Sequence, residues 1–344
     1  PSRFESEGYQ ESYISFVKSI TTKPVVGVGR FTSPDTMVSQ IKRGVMDMIG
    51  AARPSIADPF LPKKIEEGRI NEIRECIGCN ICVMSDQFSV PIRCTQNPTM
   101  GEEWRRGWHP EKIEPRKSDD GILVIGAGPS GLECALALGQ RGYRVILSES
   151  LPNMGGRVSK ESILPGLSEW GRVRDYRVQM IDRISEVSVY LGNTLSANEI
   201  IEFSAEDYFD YSHVILATGS HWRNDGIGRN HRQPIPGLEK IDVFTPDDIM
   251  NGVSVKGRVI IYDDDHYYLG GVIAEKLRRD GHEVLLVTPA AKISSWSEWT
   301  LEQKQTQKLL IEIGVEFATQ TDLASADAGM VELSCVFTDR RTKK

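Results

Sequence analysis

The chain has 344 residues, 40% of them hydrophobic, and a formal net charge of −7. That length supports two or three domains with real cores, and the composition excludes a disordered protein. The acidic balance argues against a nucleic-acid partner, which would need a basic face, and no apolar run reaches the length of a membrane span.

Pro1 in place of Met, and a stop at Arg340-Arg-Thr-Lys-Lys344 just after the strand-like run 330–337, lead us to expect a fragment at both ends. Within it, a helical stretch over 11–21 precedes Lys23-Pro-Val-Val-Gly-Val-Gly-Arg-Phe31, which reads as a buried strand ending in a glycine loop. A helix is predicted from Pro34, at its first turn, through Ile41. The pattern repeats with a strand over Met46 to Arg53 and a helix over Pro59 to Glu67. Two consecutive strand-loop-helix units imply parallel strands. Barrels of this kind hold phosphate at the carboxyl ends of the last two strands, where Gly29, Arg30, Ala52 and Arg53 fall. The plainer reading makes these arginines surface residues and the glycines turn formers.

Cys76-Ile-Gly-Cys79-Asn-Ile-Cys82 is the most informative stretch, followed after eleven intervening residues by Cys94. Three thiolates at a two-residue spacing with a fourth from a later loop suit an iron-sulfur cluster. Structural zinc, which more often takes two separated Cys-x2-Cys pairs, remains the alternative. Six cysteines, four of them in one short stretch, make no disulfide framework and point to a reducing compartment, with the cytoplasm expected. Trp104 and Trp108 either pack over the cluster or, the reading we prefer, cover a hydrophobic edge between domains. Residues 115–121 read as a linker.

Next comes Gly121-Ile-Leu-Val-Ile-Gly126-Ala-Gly128-Pro129-Ser130-Gly131, a strand and a Gly-x-Gly-x-x-Gly turn opening a helix. The second strand, from Arg144, ends in Glu149. Glycines let pyrophosphate approach the helix amino terminus, and the acid accepts ribose hydroxyls, here of an unphosphorylated ribose. Gly155-Gly156-Arg157 follows with the arginine near the phosphates, and Val214 to Gly219 closes the unit. Cys134 occupies an apolar helix position, so core packing is the better reading.

A second such unit runs through a strand at 257–262, a helix at 270–279 and a strand at 282–288. Its first turn carries Asp263-Asp-Asp-His-Tyr-Tyr-Leu269 instead of glycines, setting charge and bulk where pyrophosphate would lie, so nicotinamide binding is expected to be lost. The histidines at 109, 213, 221, 231, 266 and 282 make no ligand or catalytic spacing, and none is assigned to catalysis. Trp296 and Trp299 face either a partner or a domain interface.

Gly27-Val-Gly-Arg-Phe31, Gly50-Ala-Ala-Arg-Pro-Ser-Ile-Ala-Asp-Pro59, the cysteine run and Arg93-Cys-Thr-Gln-Asn-Pro98 together resemble the iron-sulfur flavoprotein amine dehydrogenases acting on trimethylamine, dimethylamine and histamine. These share their architecture with dienoyl-CoA reductases and NADH:flavin oxidoreductases of the old-yellow-enzyme type. The resemblance implies an α/β chain with four parts: the last two units of an FMN-binding (β/α)8 barrel over 1–70, a [4Fe-4S] segment and linker over 71–117, an ADP- or FAD-binding Rossmann-like domain over 118–222, and a degenerate NAD(P)-like domain over 223–344. Gly29, Arg30 and Arg53 would hold the FMN phosphate, and Cys76, Cys79, Cys82 and Cys94 the cluster. It further implies oxidation of a small amine through FMN, with electrons leaving by the cluster to electron-transfer flavoprotein, in a homodimer. The catalytic residues and the flavin-linking cysteine would lie upstream of Pro1. The alternative is an NAD(P)H-dependent dienoyl-CoA or enoate reductase with FMN, FAD and cluster.

Overall fold

Residues 11–21, expected as one helix, form two single turns, α1 (Glu11–Ile14) and α2 (Val17–Ile20), neither of which buries a residue. Without an apolar face held by a core, a short helix has little to propagate it. In this computed structural model, which describes residues 3–108, 111, 113–205, 211–327, 329–338 and 340–344, the chain divides into two units. One comprises Arg3–Ser162 with Glu169–Gly219, and the other Ile163–Ser168 with Ser220–Lys344.

The first unit opens with β1 (Val26–Gly27) and α3 (Pro34–Lys42), then β2 (Met48–Ile49), α4 (Ala52–Ala57) and α5 (Leu61–Glu66). β1 and β2 pair in parallel, as expected, but over two residues each. Their sheet has only these two strands, and Val26, Val28 and Met48 stay exposed, so pairing contracts to the middle of each apolar run. Arg53, expected at a strand end, instead lies in the first turn of α4. Val25, Phe31, Met37, Val45, Met46, Leu61 and Ile73 form the local core.

α6 (Ile81–Gln87) and α7 (Glu103–Arg106) carry the chain into a four-stranded parallel sheet of β3 (Gly121–Ile125), β4 (Arg144–Ser148), β5 (Val187–Tyr190) and β6 (His213–Leu216). The order is β5-β4-β3-β6, with α8 (Pro129–Gln140) between β3 and β4, and α9 (Arg157–Glu161) and α10 (Arg172–Ile181) between β4 and β5. α11 (Ala197–Ala205) follows β5. The uninterrupted apolar strands bury Val124, Val145 and Leu147 against Leu132, Leu136 and Ile181, as a sheet covered on both faces requires. Cys134 packs on this core, as its apolar position predicted. The order reverses between β3 and β6, the place where a doubly wound sheet opens a ligand crevice beyond its carboxyl strand ends.

In the second unit α12 (Pro246–Met250) starts with a full capping box between Thr245 and Asp248. β7 (Val259–Tyr262), β8 (Val284–Val287) and β9 (Glu316–Ala318) pair in parallel, with α13 (Leu269–Arg279) and α14 (Gln303–Glu312) as crossovers. An antiparallel sheet of β10 (Thr321–Asp327), β11 (Met330–Cys335) and β12 (Arg341–Lys343) follows. No helix among the described residues is long and apolar enough to cross a membrane.

Candidate functional site

Four thiols line one cavity. Cys76, Cys79, Cys82 and Cys94 share its lining with Arg53, Ile56, Ile77, Asn80, Thr95 and Gln96. The loop can curl this tightly because Gly78 and Asn80 both take left-handed backbone conformations, with φ of 69° and 58°. Asn80 then hands the chain to α6, whose second residue is Cys82.

Hydrogen-bonding groups already reach sulfur. The Gly78 amide donates to Cys76 Sγ at 3.4 Å, the Gln96 amide to Cys94 Sγ at 3.4 Å, and Thr95 Oγ1 lies 3.1 Å from Cys79 Sγ. Ile77, Val158, Val173 and Trp170 pack behind Cys79, so this side of the cavity is apolar. Burial pushes the Cys79 thiol up to about 11 and raises those of Cys82 and Cys94. A cationic centre that takes thiolates would reverse that cost. Among the described residues no three His, Cys, Asp or Glu side chains converge on one ion, and the four thiols share the lining of one cavity.

The arginines expected at strand ends meet this loop. Arg53 Nη1 donates to Asn80 Oδ1 at 2.6 Å. Arg30, itself at φ 56°, spends Nη1 on the Glu5 carbonyl at 2.8 Å, while its Nε and Nη2 are buried with no hydrogen-bond partner. Nη2 would lie 2.8 Å from a Cβ at Gly78, so the guanidinium rests on the cysteine loop. Orphaned buried donors on a cation are costly, and a phosphate would satisfy them. Gly29 packs on Gly8, whose amide donates to the Gly29 carbonyl at 2.7 Å, and Ala52 begins α4.

At the first glycine turn, a Cβ on Gly131 would fall 1.8 Å from the Gly126 carbonyl oxygen, whereas one on Gly128 would meet nothing within 4 Å. The open space over Gly128 is what a pyrophosphate at the amino terminus of α8 needs. Pro129 and Ser130 form the exposed first turn of that helix. Glu149 is buried, accepting from the Ala127 amide at 2.7 Å and the Leu151 amide at 2.9 Å. Gly156 sits against Gly128, and Arg157 opens α9 immediately after it. Gly219, at φ 75°, follows β6 at the same end of the sheet.

The corresponding turn of the second unit is filled by its own side chains. Asp263 turns inward, taking the amides of Asp265 and His266 on Oδ1 at 3.2 and 3.1 Å, and would block any Cβ on Gly270. Its Oδ2 is buried with no partner, and burial raises its carboxyl to about 6. Asp264 accepts the Arg229 amide at 2.7 Å, and the Arg229 guanidinium covers Trp296 at 4.2 Å. Tyr267 and Tyr268 meet edge to face. The expected crowding is therefore present, and the charges of Asp265 and Asp264 add to burial in raising the Asp263 carboxyl.

Against that geometry, known proteins can be compared. Residues 1–72 match the model of the NADH:flavin oxidoreductase/NADH oxidase family, 124–188 that of an NAD(P)-binding Rossmann-like domain, and 244–344 that of the OYE-like second alpha/beta domain. Dimethylamine dehydrogenase of Hyphomicrobium sp. (strain x) is 43% identical over 342 residues, which is 97% of this chain and 46% of that protein. The solved histamine dehydrogenase from Rhizobium sp. 4-9 is 49% identical over 100% of this chain and 50% of its own, with a TM-score of 0.95. The chain is a homologue of the amine dehydrogenases. The 6-hydroxypseudooxynicotine amine oxidase from Pseudomonas geniculata N1 is similar at 50% identity and a TM-score of 0.94, covering 99% of this chain and 50% of that one. The chain thus spans about half the length of these relatives. The family match over the first residues supports a flavin as the class of cofactor.

In this amine-dehydrogenase homologue, one sequence reading needs amendment. Trp104 is 80% exposed, so it covers neither a cluster nor a domain edge. Glu102, ion-paired to Arg93, Arg105 and Arg106, pins α7 so that Trp104 points outward, while the Arg106 guanidinium lies 5.5 Å from the ring of Trp108. His231, assigned no role from its spacing, places Nε2 2.9 Å from Asp322 Oδ1, which also accepts from the Tyr262 hydroxyl at 2.5 Å. His109 lies outside the described residues. Reading by motif also missed Asn80, Thr95, Gln96 and Arg177; the lone signal for the first was an asparagine between two ligand-spaced cysteines.

Proposed function

We propose that the full-length protein is an amine dehydrogenase that oxidatively dealkylates or deaminates a small amine. In this reading Arg30 and Arg53, with Gly29 and Ala52, hold the phosphate of FMN, and Cys76, Cys79, Cys82 and Cys94 ligate a [4Fe-4S] cluster. Gly126, Gly128, Pro129, Ser130, Gly131, Glu149, Gly156, Arg157 and Gly219 bind ADP, with FAD as the alternative. When bound, the flavin supplies a two-electron acceptor for hydride and the cluster a one-electron outlet. The chain's own part is to orient these groups, to donate amide hydrogens to sulfur and to keep water from the buried face.

The observation that carries the reading is the ring of four thiols around one cavity whose wall includes Arg53 and whose loop bears the orphaned guanidinium of Arg30. Three cysteines at a two-residue spacing with a fourth from a later loop suit a polynuclear cluster better than structural zinc, which more often takes two separated pairs. The self-filled turn of the second unit supports electron exit to electron-transfer flavoprotein over entry from a nicotinamide. We assign the parts as barrel units over 1–70, cluster segment over 71–117, ADP domain over 118–222 and degenerate NAD(P)-like domain over 223–344, in a cytoplasmic homodimer. Anaerobic addition of dimethylamine or histamine to the full-length protein should bleach the flavin band, with four irons and no zinc per chain; a colourless zinc protein would overturn the reading.

A second reading is an NAD(P)H-dependent dienoyl-CoA or enoate reductase. It is favoured by an NADH oxidase of Thermoanaerobacter brockii, 37% identical over 64% of this chain and 32% of that protein. Rapid bleaching by NADPH, with FAD in place of ADP, would select it.

A further inference from the structure

Arg177, on α10, is a buried cation that neither the thiol set nor the glycine turn requires, and it bridges a residue close to each. Its Nε donates to Glu133 Oε2 at 2.7 Å, and Glu133 lies in the second turn of α8, the helix whose amino terminus faces the nucleotide crevice. Nη1 donates to Gln96 Oε1 at 2.9 Å and to the Val173 carbonyl at 2.9 Å, and Nη2 to the Gln96 carbonyl at 3.2 Å. Gln96 in turn reaches both ends of the cysteine set. Its amide donates to Cys94 Sγ, and its side-chain amide to the carbonyl of Glu75, the residue before Cys76, at 3.1 Å.

We propose that Arg177 is a positioning residue that ties the nucleotide-binding helix to the loop carrying Cys94, so that nucleotide occupancy and the reduction potential of the cluster are linked. This rests on the assignment of cluster and adenine nucleotide made above. The physical ground is the planar guanidinium fork, which fixes the angle between the groups it bridges and cannot serve Glu133 and Gln96 in a shifted geometry without leaving one of them unpaired. With a side chain 4% exposed, Arg177 has no water to compensate a broken contact. A pyrophosphate at the start of α8 adds negative charge about one and a half turns from Glu133, changing the pull of that carboxylate on Arg177. Through Gln96, the change reaches a sulfur hydrogen bond, one of the levers on cluster potential. Linkage is reciprocal, so reduction of the cluster must alter nucleotide affinity by the same factor.

The test uses the full-length holoprotein, with and without ADP, and follows the cluster's midpoint potential by EPR-monitored titration and ADP affinity by calorimetry. In the wild type, ADP should shift the potential. Arg177→Met should abolish the shift and weaken ADP roughly tenfold, because Glu133 is left uncompensated near the phosphates. Glu133→Gln, which leaves Arg177 bonded to Gln96 and the fold intact, should also abolish the shift while retaining iron. Arg177→Lys should restore ADP affinity but not the shift, since it keeps the charge and loses the fork. An ADP-dependent shift of wild-type size in either Arg177→Met or Glu133→Gln, or none in the wild type, would overturn the proposal. A wild type without iron or without ADP binding would remove the underlying assignment, and the proposal with it, before any variant is made.

Discussion

Arg53 and Asn80 join the end of the barrel remnant to the cysteine loop through one short hydrogen bond, 2.6 Å from Nη1 to Oδ1. Asn80 does two things there at once. It holds a left-handed backbone conformation between Cys79 and Cys82, and it offers Arg53 an acceptor inside the cavity wall.

The two roles separate by substitution. Asn80→Gly keeps the backbone conformation and loses the acceptor, whereas Asn80→Ala loses both. Asn80→Gly should cost about 1–3 kcal/mol for the lost bond to a charged donor, and Asn80→Ala about 1–2 kcal/mol more for the left-handed residue. Urea midpoints with iron analysis measure the difference; equal stability for the two variants would show that the backbone conformation carries no strain.

The glycine turn offers a cleaner pair. Gly131→Ala drives a methyl to within 1.8 Å of a backbone oxygen and should destabilise the first unit outright. Gly128→Ala meets nothing within 4 Å, so it should leave the melting temperature unchanged and weaken ADP, because the methyl enters space reserved for ligand. Paired melting and ADP calorimetry decide the matter, and an unaltered ADP affinity in Gly128→Ala would place the nucleotide elsewhere.

Asp263 sets a pH dependence in the second unit. Its folded carboxyl is raised to about 6 by burial, against an ordinary value near 3.8, so between those values the folded state holds more protons than the unfolded one. Stability from this group is therefore present at low pH and lost as pH rises from about 4 to 6, by about 3 kcal/mol at full effect. Asp263→Asn should lack this loss. Urea unfolding of wild type and variant at pH 4.5 and 7 tests it, and parallel curves for the two would show that Asp263 does not titrate there.

In the proposed assignment the cluster depends on all four sulfurs. Each single change, such as Cys94→Ser, should lower bound iron and sulfide sharply, since a serine hydroxyl is a poor ligand for this centre. Zinc retained at one per chain would indicate a different metal.

Much of this was legible because it is local. The cysteine spacing, the glycine turn with Glu149 and the alternation of strand and helix are short-range patterns, and each lies where its spacing implies. Strand length was not legible: β1 and β2 need neighbours to extend, and sequence cannot show that only one pairs with each. Arg177 and Gln96 escaped for a similar reason. They are 81 positions apart, and neither belongs to a motif; only the fold brings a buried guanidinium onto the loop after Cys94. Trp104 was misread because an aromatic among arginines gives no clue to which way a four-residue helix will turn.

Peptide N–H groups, those of Gly78 and Gln96 among them, donate to the site sulfurs. No replacement other than proline removes such a donor, so sequence drift in this loop can change bulk and charge around the thiols while leaving their electrostatic tuning in place. Altering it takes a change in the path of the main chain itself: a proline, an inserted residue, or an ester in place of an amide.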